Sequence, residues 1–394
     1  MRLVLYTGKG GVGKTTTAAA SAACAAARGE RTLVVSADAA HSLGDVFERR
    51  LGPEPVAVAP GLDALEVDAR KEMEHHWGSV RDYLVSLLRY QGIEEIVAEE
   101  LALLPGAEEL TTLLAVEAHG SRHGYQHVVV DCAPTDATLR LLTLPEVATS
   151  ALRLILRVQQ AVSRVVTPLA RQLVHVPLPG SEVFADMERL LYEKLGGLRD
   201  RIGAPETTVR LVVTPERMVI DEALRAFTDL SLFEVGCDAV VMNRLLPESA
   251  VAEPFFRDWG KLQAERCAEV EELFAPLPVL RAPLQEDEVT GFDALAAHGA
   301  DLFGDLSPSA RLCEAPTLRF ARDPAGYRVE IPLPHASASS LDVAKLEGDL
   351  VIRTGTRRRA LRLPQRMRSL ALSRARLTEG TLVVQLGAAA GEIS

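Results

Sequence analysis

The chain has 394 residues, 47% hydrophobic and 25% charged, a balance that supports a well-cored globular protein of more than one domain and excludes a disordered or fibrous one. A net charge of −11 argues against general nucleic-acid binding, and no apolar stretch approaches the roughly 18 residues a membrane span needs. The cysteines Cys24, Cys132, Cys237, Cys267 and Cys313 lie far apart with no CxxC pair, so neither a disulfide framework nor a sequence-local zinc site is expected.

The first apolar run, Leu3-Val4-Leu5-Tyr6, predicts a strand, and the Ala-rich stretch from Thr16 to Ala27 predicts a helix. Between them Gly8 to Thr15 read GKGGVGKT, the phosphate-loop pattern GxxxxGK[ST] in the strand–loop–helix setting it requires. The backbone N–H groups of Gly8, Lys9, Gly10, Gly11, Val12 and Gly13 can turn inward on a phosphate, and the helix starting near Thr16 presents its positive end to it. Lys14 can reach β- and γ-phosphates, and the Thr15 hydroxyl can ligate Mg²⁺. A signal peptide cleaved here would remove that loop, so a cytoplasmic location is expected.

Thr32 to Val35 predict a second strand, His127 to Val130 a third that ends in Asp131, and Val209–Val213, Ala239–Met242 and Val279-Leu280 three more. Such nearly continuous apolar runs suit a parallel sheet covered on both faces. The expected fold is α/β, with a nucleotide-binding domain over 1–304. Helical spacing of Met73, Trp77, Val80, Leu84 and Leu87, then of Val158 to Leu173 and Phe184 to Ile202, predicts a helical insertion over about 70–120 and 145–205. Pro168 should kink its middle helix. His119, His123 and His127 are spaced by four, but Gly120 and Gly124 are expected to break any helix that would align them.

A linker is expected over 305–315, around Leu306-Ser307-Pro308-Ser309. Short alternating runs follow at Tyr327–Ile331, Asp349–Ile352, Ala360–Leu363 and Thr381–Leu386, predicting an antiparallel β-sandwich over 316–388. Nine arginines and no acid lie between Arg353 and Arg376, which makes this end locally basic.

Lys9 follows the first loop glycine, and KGGxGKT resembles the two-lysine loop of the ATPase family that includes the arsenical pump, tail-anchored-protein targeting, MinD/ParA partition and nitrogenase iron proteins. The resemblance implies that Lys9 crosses a homodimer interface to the partner's nucleotide, a cation supplied in trans as an arginine finger is. Ser36-Ala37-Asp38-Ala39-Ala40-His41-Ser42-Leu43-Gly44-Asp45-Val46-Phe47 looks like switch I of the arsenical-pump and targeting branch. On that match Asp38 polarises the attacking water and Asp45 couples the switch to the dimer, with Ala39 in place of the usual proline. Asp131-Cys132-Ala133-Pro134-Thr135 resembles switch II, with Asp131 holding Mg²⁺ through water and Pro134 in the moving loop. Asp136-Ala137 replace its usual Gly-His, which puts switching rate in question.

Leu104–Leu110, Thr214-Pro215-Glu216 and Val241–Arg244 match further elements of that branch in family order. Asn243 would then bind the adenine, and Pro283 would begin the loop covering it. The C-terminal segment resembles the small heat-shock (α-crystallin) domain.

Together these resemblances imply a Mg²⁺-dependent ATPase that pairs around ATP and switches a helical region holding a hydrophobic client protein or membrane partner. An arsenite or antimonite efflux ATPase, a partition-type ATPase and a non-hydrolysing nucleotide-gated holdase are the alternatives. Convergence of Cys132, Cys237 and Cys267 would be needed for a metalloid site.

Overall fold

The computed structural model describes residues 1–38, 42–68, 82, 85–86, 89, 92–95, 107–122, 124–135, 138–139, 195–314, 318–323, 326–346 and 348–387. Eight strands form the main sheet: β1 (Arg2–Thr7), β2 (Thr32–Ser36), β3 (Val56–Ala59), β4 (Leu62–Glu66), β5 (His127–Asp131), β6 (Thr207–Val213), β7 (Cys237–Leu245) and β8 (Val279–Pro283). Their order is β3-β4-β2-β5-β1-β6-β7-β8. Every neighbouring pair is parallel except the edge strand β3, which runs antiparallel to β4.

All six strands expected in this half form. The apolar runs are buried along their whole length in β2, β5 and β6, as a sheet covered on both faces requires. The pair β3–β4 was not anticipated. Its signal is the turn pair Pro60-Gly61 between two short apolar-rich runs, where Gly61 takes a φ of 77°.

The helix Lys14–Ala27 is buried on nearly every side. Alanine gives it the highest helix propensity with almost no bulk, so neighbours approach closely. A Cβ on Gly299 of the Phe292–Phe303 helix would lie 2.3 Å from the Ala20 carbonyl oxygen. The same need explains a correction to the sequence reading: the helix Ala107–Arg122 runs unbroken through Gly120. There a Cβ would meet Met1 Sδ at 3.1 Å and Val128 at 3.3 Å, so the glycine serves close packing. His119 lies in that helix and His127 in β5; His123 lies outside the described residues.

Most of the expected helical insertion, with Pro168 and the stripes at 73–87 and 158–191, also lies outside the described residues. Of it, Ala107–Arg122 and Leu195–Ile202 are helices.

The C-terminal part is a separate antiparallel unit. One sheet has the order β14-β15-β10-β9 and the other β11-β12-β13, from β9 (Arg319–Asp323), β10 (Gly326–Pro332), β11 (Leu341–Leu346), β12 (Asp349–Thr354), β13 (Arg357–Arg362), β14 (Ala371–Thr378) and β15 (Thr381–Gly387). Val329, Ile331, Leu350, Ile352, Leu361, Leu382, Val384 and Leu386 meet between the sheets as a second core, which is the period-2 burial of a sandwich. Strands β9, β11 and β14 were not anticipated.

The segment between the two units is no loose tether. Arg28 donates to the carbonyls of Gly304 and Leu306 at 2.7 and 2.6 Å. Fully buried Arg210 donates to those of Pro308 and Ala310, both at 2.9 Å, and Arg2 to that of Ser309 at 3.0 Å. Asp238 neutralises both cations, 2.7 Å from half-buried Arg2 and 3.1 Å from Arg210. A buried charge needs such a complete set of partners.

Candidate functional site

Register brings the motifs to one edge. Tyr6 of β1 and Ser36 of β2 both pair with Asp131 of β5. The chain therefore leaves three strands at one level, into Gly8–Gly13, Ala37-Asp38 and Cys132–Thr138. This is the carboxyl edge of a parallel sheet beside the point where strand order reverses, where such folds bind ligands.

The loop is shaped by contacts only glycine permits. A Cβ on Gly8 would sit 2.2 Å from the Val212 carbonyl oxygen. Gly13 has a φ of 89°, and a Cβ there would lie 2.4 Å from Asn243 Nδ2. Gly10 and Gly11 are exposed and leave the mouth open. Lys14, the first helical residue, is buried, with Nζ 3.5 Å from the Lys9 carbonyl oxygen. The Thr15 hydroxyl lies 3.2 Å from Ser42 Oγ, next to the helix Leu43–Phe47. Lys9 and Thr16 are half-buried on the loop and first turn.

Asp131 is fully buried and neither carboxylate oxygen has a hydrogen-bond partner. Burial pushes its carboxyl up to about 7; the Thr15 hydroxyl and the Lys14 ammonium oppose the rise and the Asp38 charge adds to it. A partnerless buried carboxylate is costly unless a cation completes it. The donor set also suits Mg²⁺: oxygen ligands only, from a hydroxyl and a carboxylate, beside a phosphate cradle. On these observations the residues fit both the metal and a nucleoside triphosphate.

Half-buried Asp38 follows β2, its carbonyl 3.5 Å from Ser36 Oγ. Asp45 is exposed in the first turn of the Leu43–Phe47 helix, where Glu66 accepts the Gly44 N–H at 2.9 Å. Exposed Pro134 lies in the segment after Asp131, which Thr138 ties down by bonds to Thr7 at 2.9 Å and to the Ala133 carbonyl at 2.7 Å.

Asn243, expected at the adenine, donates one amide N–H to the Val12 carbonyl at 2.8 Å and accepts the Arg244 N–H at 2.9 Å. One N–H remains for a base edge, so the same side chain braces the phosphate loop from behind. Pro283 ends β8, with Leu284 exposed just beyond it. Residues 39–41 and 136–137 lie outside the described residues, as does Leu104-Pro105-Gly106.

The cysteines do not converge. Cys132 follows the carboxyl end of β5, whereas Cys237 opens β7 at its amino end, with β1 and β6 between. Burial raises the thiol pKa of both, and the neighbouring Asp131 and Asp238 charges add to it. Among the described residues no three metal-binding side chains cluster.

The sequence model of the anion-transporting ATPases matches residues 1–304, and that of an HSP20-like domain found in such ATPases matches 324–386. The chain belongs to the anion-transporting ATPase family. Several relatives match it over most of its length. A protein provisionally named arsenical pump-driving ATPase 1, from Aquifex aeolicus, is 32% identical over 98% of this chain and 99% of its own length. A provisionally named arsenical pump-driving ATPase of Chlorobaculum tepidum is 33% identical over 92% of this chain and 90% of its own. ATPase ARSA2 of Chlamydomonas reinhardtii is 28% identical over 78% of this chain and 86% of its own. Among the described residues no helix of this family member is long and apolar enough to cross a membrane.

Sequence reasoning missed Ser42, Glu66, Thr138 and Glu222, the last accepting a hydrogen bond from Thr135 at 3.2 Å. Ser42 lies within the quoted run Ser36–Phe47 and Thr138 directly follows Asp136-Ala137, so their positions offered a signal. Glu66 and Glu222 offered none, because each reaches its partner only through the sheet's topology.

Proposed function

We propose that the protein is a Mg²⁺-dependent ATPase that pairs two copies around ATP and uses hydrolysis to move a helical region holding a hydrophobic client protein. The observation that carries the nucleotide reading is the buried, partnerless Asp131 carboxylate beside Lys14 and Thr15, under a loop in which Gly8 and Gly13 leave no room for a side chain.

In this reading the loop N–H groups and Lys14 bind the β- and γ-phosphates. Thr15 and Asp131 are the residues that would hold Mg²⁺, the latter through water. When bound, the metal neutralises charge on the phosphate oxygens. Asp38 orients the attacking water, and Lys9 of the second copy meets charge developing on the transferred phosphoryl group. Asn243 and the loop from Pro283 take the adenine. Asp45 and Pro134 sit on the two segments that relax when the γ-phosphate leaves. Support for the coupling comes from the 3.2 Å approach of Ser42 to Thr15, which links switch I to the metal ligand itself.

Titration with a fluorescent ATP analogue, with Mg²⁺ and then with a chelator, tests the site. Wild-type binding should tighten with Mg²⁺, and Asp131→Asn should bind nucleotide without that gain. Equal Mg²⁺ dependence in the two proteins would defeat the metal assignment. A labelled apolar helical peptide that binds in ATP and is released on hydrolysis would support the client; binding indifferent to nucleotide would contradict it.

The names of the relatives favour a second reading, an arsenical-pump subunit. Stimulation of turnover by arsenite or antimonite would select it. The separated, protonated Cys132 and Cys237 thiols give that reading no metalloid site among the described residues.

A further inference from the structure

The helix Arg217–Leu232 touches both halves of the molecule. Its face of Val219, Ile220, Ala223, Ala226, Phe227 and Leu230 packs into the main core. Near its start Glu222 accepts the Thr135 hydroxyl, four residues beyond Asp131, at 3.2 Å. Its far end belongs to the sandwich: Leu232 lies in the second core. Arg357 pairs with Asp229 at 3.2 Å, Thr228 donates to the Pro334 carbonyl, and buried Arg359 binds the Leu232 carbonyl and Glu234. A cation on the last helical carbonyls is favoured by the helix dipole. His335 adds a 2.6 Å contact to the Leu273 carbonyl on the adjacent helix.

Glu222 and Asp229 are seven residues apart, so they share one face of the helix two turns and about 10 Å apart. Packed helices move as rigid units rather than deforming. Displacing Thr135 therefore either breaks the bond to Glu222 or shifts the anchor carrying the sandwich. We infer that the Arg217–Leu232 helix is a lever that reports the nucleotide state of the segment after Asp131 to the C-terminal sandwich, with Glu222 as the input and Asp229, Leu232 and Glu234 as the output. The inference rests on the nucleotide reading above. It gives the appended domain a role: its seating responds to the ATP site, and its loss changes that site in return.

Hydrogen exchange on the full chain, with and without ADP or a non-hydrolysable ATP analogue plus Mg²⁺, tests it. Wild-type should show nucleotide-dependent exchange in residues 8–16 and also in 331–337 and 357–363, at the sandwich side of the anchor. Glu222→Ala, which removes the acceptor of the Thr135 hydroxyl, should keep the response at 8–16 and lose it in the sandwich. By reciprocity, Arg359→Gln should change ADP affinity by about fivefold or more, the low end of ordinary coupling. A sandwich response that is absent in wild-type, or that persists unchanged in Glu222→Ala, would overturn the lever. No response at 8–16 in any protein would overturn the nucleotide reading and the lever with it.

Discussion

His127 opens the strand that ends in Asp131, and it is fully buried with neither ring nitrogen hydrogen-bonded. Burial lowers its pKa from 6.5 to about 3, and the charges of Arg210 and Arg2 press the same way. The folded protein therefore keeps the imidazole neutral at pH values where the unfolded chain takes up a proton. Below the unfolded value of 6.5 stability falls as pH falls, and the loss continues until pH passes the folded value near 3. Each pH unit in that window costs about 1.4 kcal/mol, so lowering the pH from 6.5 to 5 costs about 2 kcal/mol through this side chain alone. His127→Leu removes that term and also a buried, unsatisfied N–H worth about 1–3 kcal/mol. Urea unfolding of wild-type and His127→Leu at pH 7.5 and pH 5 measures it. The variant's advantage should grow by about 2 kcal/mol at the lower pH. An advantage independent of pH would show that the imidazole finds a partner or a proton in the folded state.

Gly8→Ala should fold but lose nucleotide binding in the same fluorescence titration, because its methyl must displace the Val212 carbonyl 2.2 Å away. Asn243→Ala strips the Val12 carbonyl of its donor, and nucleotide should bind at least about tenfold more weakly by calorimetry, the lower range for an orphaned buried acceptor. A chain cut after residue 314 keeps the segment held by Arg2, Arg28 and Arg210 and should still hydrolyse ATP, with ADP affinity changed by about fivefold or more through loss of the sandwich. A cut after 304 removes the carbonyl partners of buried Arg210 and should be less stable by about 3 kcal/mol in urea, the cost of leaving a buried charge short of partners.

Much of this was legible in the sequence because short-range rules govern it. Valine and leucine runs gave the central strands, and the Gly8–Thr15 spacing gave the turn from β1 into a helix. The alternation Arg328-Val329-Glu330-Ile331 gave a sandwich strand. What could not be read depends on three-dimensional neighbours. Gly120 suggested a helix break, yet Met1 and Val128 pack where its side chain would be. Asn243 suggested a base contact, yet strand order sets β7 where that amide also holds Val12. The segment around Pro308 has the composition of a tether, and only the folded sheet reveals the arginines that grip its carbonyls.

Mixing two inactive variants tests the paired site most directly. Lys9→Ala lacks the amine given to the partner, while Asp38→Asn lacks the carboxylate used within its own copy. Combined in equal amounts with ATP and Mg²⁺, they should recover about a quarter of wild-type turnover, since half of randomly formed symmetric pairs are mixed and each has one complete site. Turnover that stays at the level of the separate variants would mean that Lys9 serves its own nucleotide, and would contradict the account.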